Sequence, residues 1–201
     1  MNKTNYFLLQ KNILKEVANI KSKPKLLLHS CCAPCSTFCL EKVTPYFETS
    51  VFYYNPNITI ESEYEKRLNE QINFVNLVYL GSVNVIAGEY RIEDFLTKIK
   101  GLENEKEGGS RCKICYYLRL EETCKKAKEL GYDYFSTTLS ISPHKNATWL
   151  NEIGEELSNK YGVKYLYADF KKEGGYLRSI ELSKLYNLYR QDFCGCEFSK
   201  K

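Results

Sequence analysis

Leu26-Leu27-Leu28-His29-Ser30-Cys31-Cys32-Ala33-Pro34-Cys35 runs from an unbroken apolar triplet straight into three thiols. Lys25 to Ser30 reads as a short buried strand, the cysteines as a turn, and Ser36 to Val43 as the helix that follows, running toward Pro45. Two later stretches are rich in the same chemistry: Arg111-Cys112-Lys113-Ile114-Cys115 and Asp192-Phe193-Cys194-Gly195-Cys196. Seven of the nine cysteines fall in these three clusters, so the rest of the chain is read for a frame that brings them together.

Upstream, Tyr6, Leu9, Ile13, Val17 and Ile20 recur at helical spacing, which predicts an amphipathic helix from about 5 to 20. Downstream, Val51-Phe52-Tyr53-Tyr54 is rich in strand formers and stops at the turn Asn55-Pro56-Asn57. A helix starts at Glu61, with Tyr64, Leu68, Ile72, Val75 and Val78 on one face and Gly81 as its stop. Val83 to Ala87 is a third strand and Ile92 to Ile99 a short helix. Residues 101 to 110, with Gly108-Gly109, read as a loop that could serve as a flexible flap.

Residues 112 to 130 predict a helix with Tyr116, Leu120, Cys124 and Ala127 inward and Gly131 as its stop. Tyr134 to Leu139 is a fourth strand, and Asn146 caps a helix that Gly162 ends. Val163 to Ala168 is the fifth strand, and Leu177 to Tyr189 the last helix. Five alternations of strand and helix predict an α/β fold, a mainly parallel sheet flanked by helices. Ligands of such sheets bind beyond the carboxyl ends of the strands, where the cysteines, Asn-Pro-Asn and Thr137-Thr138-Leu139-Ser140 collect.

The 201 residues have room for one domain, and 43% hydrophobic with 27% charged residues is ordinary for a soluble globular protein. A net charge of +4 permits a nucleic-acid partner without arguing for one. No apolar run approaches the roughly 20 residues that cross a bilayer, and Met1-Asn2-Lys3-Thr4-Asn5 leads into the amphipathic helix instead of a signal peptide. The expected location is cytoplasmic, with no membrane partner. In a reducing compartment an odd set of nine cysteines points to metal or redox chemistry over structural disulfides. Neither a GxxxxGK[ST] loop nor a GxGxxG fingerprint marks a nucleotide site.

Thiolates suit zinc, copper(I) and iron–sulfur clusters. Cys112 and Cys115 have the CxxC spacing that lets two sulfurs of one turn reach one centre. Cys31 and Cys32 diverge from a regular backbone, which a wide [4Fe–4S] cluster tolerates better than one zinc ion, and Cys112 and Cys115 would complete its four ligands. Cys194 and Cys196 could close a small strained disulfide or hold a second metal. Cys35 could join that accessory metal or sit at a helix start with a lowered pKa. Cys39 and Cys124 read as buried core thiols and His29 as a hydrogen-bonded core histidine. Tyr53, Tyr54, Tyr116 and Tyr117 lie near the expected site edge.

His29 to Cys35, Tyr54 to Asn57 with Glu63 to Arg67, Arg111 to Leu120, Thr137 to Asn146 and Leu188 to Cys196 together resemble the QueH-type epoxyqueuosine reductases, in the right order, from about residue 24 to 199. The resemblance implies a single Rossmann-like (HUP-like) α/β domain of about five strands spanning 1–201, with 1–23 an N-terminal helical extension. It implies an iron–sulfur oxidoreductase that reduces epoxyqueuosine to queuosine at the wobble position of tRNA, fed by an external electron donor. Its [4Fe–4S] ligands would be Cys31, Cys32, Cys112 and Cys115, with Cys194 and Cys196 a redox-active pair. One additional iron, with Cys35 and Cys196 as ligands, is the alternative use of those thiols. Tyr116 or Asp192 would supply a proton to the departing oxygen, and Arg67, Arg111, Lys145 and Arg190 would hold tRNA phosphates. Two rival readings exist: a thiol–disulfide oxidoreductase built on Cys32-Ala33-Pro34-Cys35, and a structural zinc module that binds RNA.

Overall fold

All three leucines of the opening triplet are fully buried, as a strand covered on both faces requires. In the computed structural model, which describes residues 4–199, this strand, β1 (Lys25–His29), lies at the centre of a five-stranded sheet. Its companions are β2 (Glu48–Tyr53), β3 (Asn84–Ala87), β4 (Tyr134–Thr137) and β5 (Lys164–Tyr165). The order is β3-β2-β1-β4-β5 and every pairing is parallel, a Rossmann-like arrangement. The helices are α1 (Tyr6–Ala18), α2 (Ala33–Val43), α3 (Glu61–Tyr79), α4 (Ile92–Lys98), α5 (Ser110–Glu129), α6 (Ala147–Tyr161) and α7 (Gly175–Leu185).

Because side chains alternate along a strand, Leu26 and Leu28 enter one core and Leu27 the other. The first core takes Leu14 and Val17 of α1, Leu40 and Val43 of α2, and Phe74 and Val75 of α3. The second takes Leu120, Cys124 and Ala127 of α5 and Leu150, Ile153 and Leu157 of α6. The chain steps outward from β1 to β3, then crosses back to β4 on the other side of β1. That reversal opens a crevice at the carboxyl ends of β1 and β4, where His29 and Thr137 pair in register.

Several boundaries differ from the expected ones. Helix α2 begins at Ala33 and not at Ser36, because Pro34 in its first turn has no N–H to lose. Helix α1 ends at Ala18, leaving Ile20 exposed and Gln10, Leu14 and Val17 as its buried face. Helix α7 stops at Leu185, not Tyr189, where Asn187 turns left-handed at φ 50°. The N–H groups of Leu188 and Asn187 then bond back to Ser183 and Lys184, which closes the helix as a Schellman motif does. Strand β5 has two residues, and the Asn151 side chain takes both backbone groups of Ala168 at 2.8 Å each. The first three positions of the expected N-terminal extension lie outside the described residues. No helix among the described residues is long and apolar enough to cross a membrane.

Candidate active site

The turn after β1 is held from below by hydrogen bonds the sequence supplies. Ser30 N–H donates to the Phe52 carbonyl at 3.0 Å, and Asn55 Nδ2 donates to the Ser30 carbonyl at 2.9 Å, so the Asn-Pro-Asn turn of β2 braces the thiols. Gln71, on the inner face of α3, accepts from Ser30 Oγ at 2.9 Å and donates to Ser36 Oγ at 3.0 Å. His29 is the core histidine expected: its ring meets Thr137 Oγ1 and the Tyr54 carbonyl, and burial lowers its pKa to about 4, so it is neutral.

On this platform the Sγ atoms of Cys31, Cys32 and Cys35 all lie within 4.8 Å of one another. Cys32 Sγ also accepts from Gln191 Nε2 at 2.9 Å. Hydrogen bonds from the Cys31 and Cys35 thiols, and then from Gln191, hold Cys32 well below the usual thiol range. Cys35 is pushed well above it by its bonds to Cys31 and Cys32 and by burial. The lowered pKa expected of Cys35 therefore belongs to Cys32, because Cys35 is a donor within the trio.

The first turns of α5 and the C-terminal arm line a narrow cleft with Cys112, Cys115, Tyr116, Arg119, Lys145, Cys194 and Cys196, and Cys31 and Cys112 pack against the same core. Cys115 and Cys196 pack in one apolar cluster with Phe95 and Ile99. Burial pushes Cys115 up to about 12 and Cys196 up to about 11, and Tyr116 likewise up to about 12. Cys112 Sγ accepts from the Gly108 N–H at 3.2 Å, so the loop expected to be a flap is tied to the site. All nine cysteines are free thiols, and the disulfide considered for Cys194 and Cys196 is not formed here. Cys39 and Cys124 are fully buried in the two cores, as expected.

The four cations expected to meet phosphates divide by burial. Arg67 and Arg111 are 1% exposed. Arg67 pairs with Glu63 at 2.6 Å and donates to the carbonyls of Phe193 and Cys194. Arg111 donates to the carbonyls of Leu102, Glu103, Glu105 and Phe198. Both are clamps on backbone, which leaves neither guanidinium for a phosphate. Lys145 is part-buried and donates to Cys194 Sγ at 3.0 Å and to Glu107 at 3.3 Å. Arg190 alone is exposed, with one bond to Ser183 Oγ. Asp192 is exposed as well, whereas Tyr116 is buried in the cleft.

Arg119 was not singled out from sequence. It stands one helical turn after Cys115 on the same buried face as Tyr116 and Leu120, a spacing that could have drawn notice to it. Arg119 lines the cleft with Cys115 and Cys194, and Cys31 of the trio also acts electrostatically on its guanidinium. Closely spaced buried sulfurs lined by Arg119 and Lys145 suit a soft metal centre whose thiolates carry negative charge.

The family profile described as Epoxyqueuosine reductase QueH matches residues 26–201. Epoxyqueuosine reductase QueH of Staphylococcus epidermidis is 46% identical, over 98% of this chain and 85% of the relative. The chain belongs to this family. The QueH protein of Streptococcus pyogenes serotype M1 is 40% identical over 99% of this chain and 79% of its own. That of Thermotoga maritima is 40% identical over 87% of this chain and 89% of its own. QueH membership covers all three thiol clusters, since residues 26–201 contain every site cysteine.

Proposed function

We propose that this chain reduces epoxyqueuosine to queuosine in tRNA at a thiolate-held iron–sulfur centre in the crevice between β1 and β4. The single observation that carries this reading is the close-set trio Cys31, Cys32 and Cys35, in a chain of the epoxyqueuosine reductase family that also gathers Cys112, Cys115, Cys194 and Cys196 in one cleft. A [4Fe–4S] cluster on Cys31, Cys32, Cys112 and Cys115 leaves Cys35, Cys194 and Cys196 for an additional iron or a dithiol. When bound, such a cluster supplies electrons one at a time.

Opening the epoxide to the cyclopentene takes two electrons and two protons, and the oxygen leaves as water. The chain's own part is to exclude water and deliver protons. Tyr116, which lines the cleft, is better placed than the exposed Asp192 to donate. Phe95 and Ile99 wall the cleft on its apolar side. For the tRNA backbone, the exposed Arg190 and the turn that opens α6 at Asn146 are the accessible groups. The electron donor is external, and a reducing cytoplasm suits nine free thiols.

The test is anaerobic purification, a visible spectrum, and an iron, zinc and sulfide assay, followed by turnover of epoxyqueuosine-bearing tRNA. A brown protein with roughly four irons and four sulfides that converts the tRNA supports the proposal. A colourless zinc protein that stays without sulfide after reconstitution overturns it in favour of a structural zinc module.

A further inference from the structure

Among the described residues no carboxylate answers the charge of Arg119. Its side chain is 1% exposed. Nε donates to the Cys115 carbonyl at 3.2 Å, one turn back in its own helix. Nη1 and Nη2 have no hydrogen-bond partner among the described residues, and the described ion pairs leave this guanidinium without a carboxylate. The Tyr116 ring, 5.9 Å away, is the one cation–π contact described for it. A guanidinium cannot escape by losing its proton, so a buried one with an empty fork is costly unless an anion meets it. Cys115 and Cys194 line the same cleft, Cys31 adds its electrostatic influence, and Lys145 brings a second cation. Burial also rules out a tRNA phosphate as the partner.

We propose that Arg119 is the charge-balancing, positioning residue of the metal centre: its free fork donates to sulfur of a thiolate-bound iron–sulfur group, and its fixed charge eases that group's reduction. This rests on the reading of the cysteines as iron–sulfur ligands. Arg111 and Arg67 play no such part, because carbonyls and Glu63 occupy their forks. Lys145 is answered by Cys194 and Glu107.

The test compares wild type, Arg119→Met and Arg119→Lys, each purified anaerobically and measured without and with reconstituted iron and sulfide. Without metal, Arg119→Met is expected to unfold at a higher denaturant midpoint than wild type, because an apolar chain replaces an unanswered charge. With metal the order is expected to reverse, and a potentiometric titration followed by electron paramagnetic resonance is expected to give a lower midpoint potential. Arg119→Lys keeps the charge without the fork, so its potential is expected to stay near wild type while a chelator strips its iron several-fold faster. A packing role alone would lower stability in both states and leave the potential where it was, which overturns the proposal. Should Arg119→Met fail to fold, a wild-type rate of iron loss from Arg119→Lys overturns it equally. A wild type that takes up no iron overturns the parent reading along with this one, whereas a loaded wild type with indifferent variants overturns this one alone.

Discussion

Gly195 sits at φ 97°, a left-handed conformation, and a Cβ there would come within 2.8 Å of Ile58 Cγ1 and 3.2 Å of Arg67 Nη1. Both neighbours are packed, so Gly195→Ala is expected to displace Cys194 and Cys196 and cut turnover at least tenfold. Because the arm packs outside the two main cores, the cost in global stability is expected to be only about 1 kcal/mol, read by denaturant titration. Cys32→Ser removes a trio sulfur and is expected to abolish iron retention. Cys39→Ala, at a fully buried core position, is expected to keep its iron and lose about 1–2 kcal/mol of stability. Iron content and melting together separate the two kinds of cysteine. At this scale the thiols were legible, because a cysteine in a cluster has few other uses. The cations were not: Arg67, Arg111 and Arg119 are 1% exposed, and residue type alone gives no sign of it.

Helix α3 shows why. Its apolar periodicity predicted a face of Tyr64, Leu68, Ile72, Val75 and Val78, yet the buried positions are Tyr64, Arg67, Gln71, Phe74 and Val75. Two polar residues occupy the inner stripe because they serve other elements, Gln71 the thiol turn and Arg67 the C-terminal arm. Gln71→Leu would cut the link between the Ser30 and Ser36 hydroxyls, which keep the Cys32 and Ala33 carbonyls as partners, at an expected cost of about 0.5–1.5 kcal/mol and with faster loss of metal to a chelator. By contrast, the apolar face of helix α5 was readable, since Tyr116, Leu120, Cys124 and Ala127 are all buried, although Arg111 and Arg119 are buried with them. The Asn146 cap and the Gly162 stop of α6 were also visible, each being a residue whose local chemistry fixes its place. The early end of α7 turned on Asn187, a weaker stop signal than glycine and easily passed over.

At the scale of the whole molecule, the alternation of strands and helices was enough to predict a parallel sheet and the edge on which the site lies. Alternation alone left open the order β3-β2-β1-β4-β5, which sets β1 beside β4. With a net charge of only +4, two of the four expected phosphate ligands buried and Lys145 engaged by Cys194 and Glu107, tRNA binding is expected to weaken with salt but with a shallow slope, set by few contacts such as Arg190. A slope as steep as that of a protein gripping many phosphates, measured by titration at several salt concentrations, would show an electropositive face beyond these residues. The arm that brings Cys194 and Cys196 to the cleft is gripped by two buried arginines, largely through its carbonyl oxygens. A hold on main chain is blind to side-chain identity. A saturation library should therefore tolerate most replacements at the exposed Asp192 and Glu197. It should be tightly restricted at Arg67 and Arg111, two positions that lie far from the arm in sequence and whose loss would leave the arm intact in sequence but adrift in space.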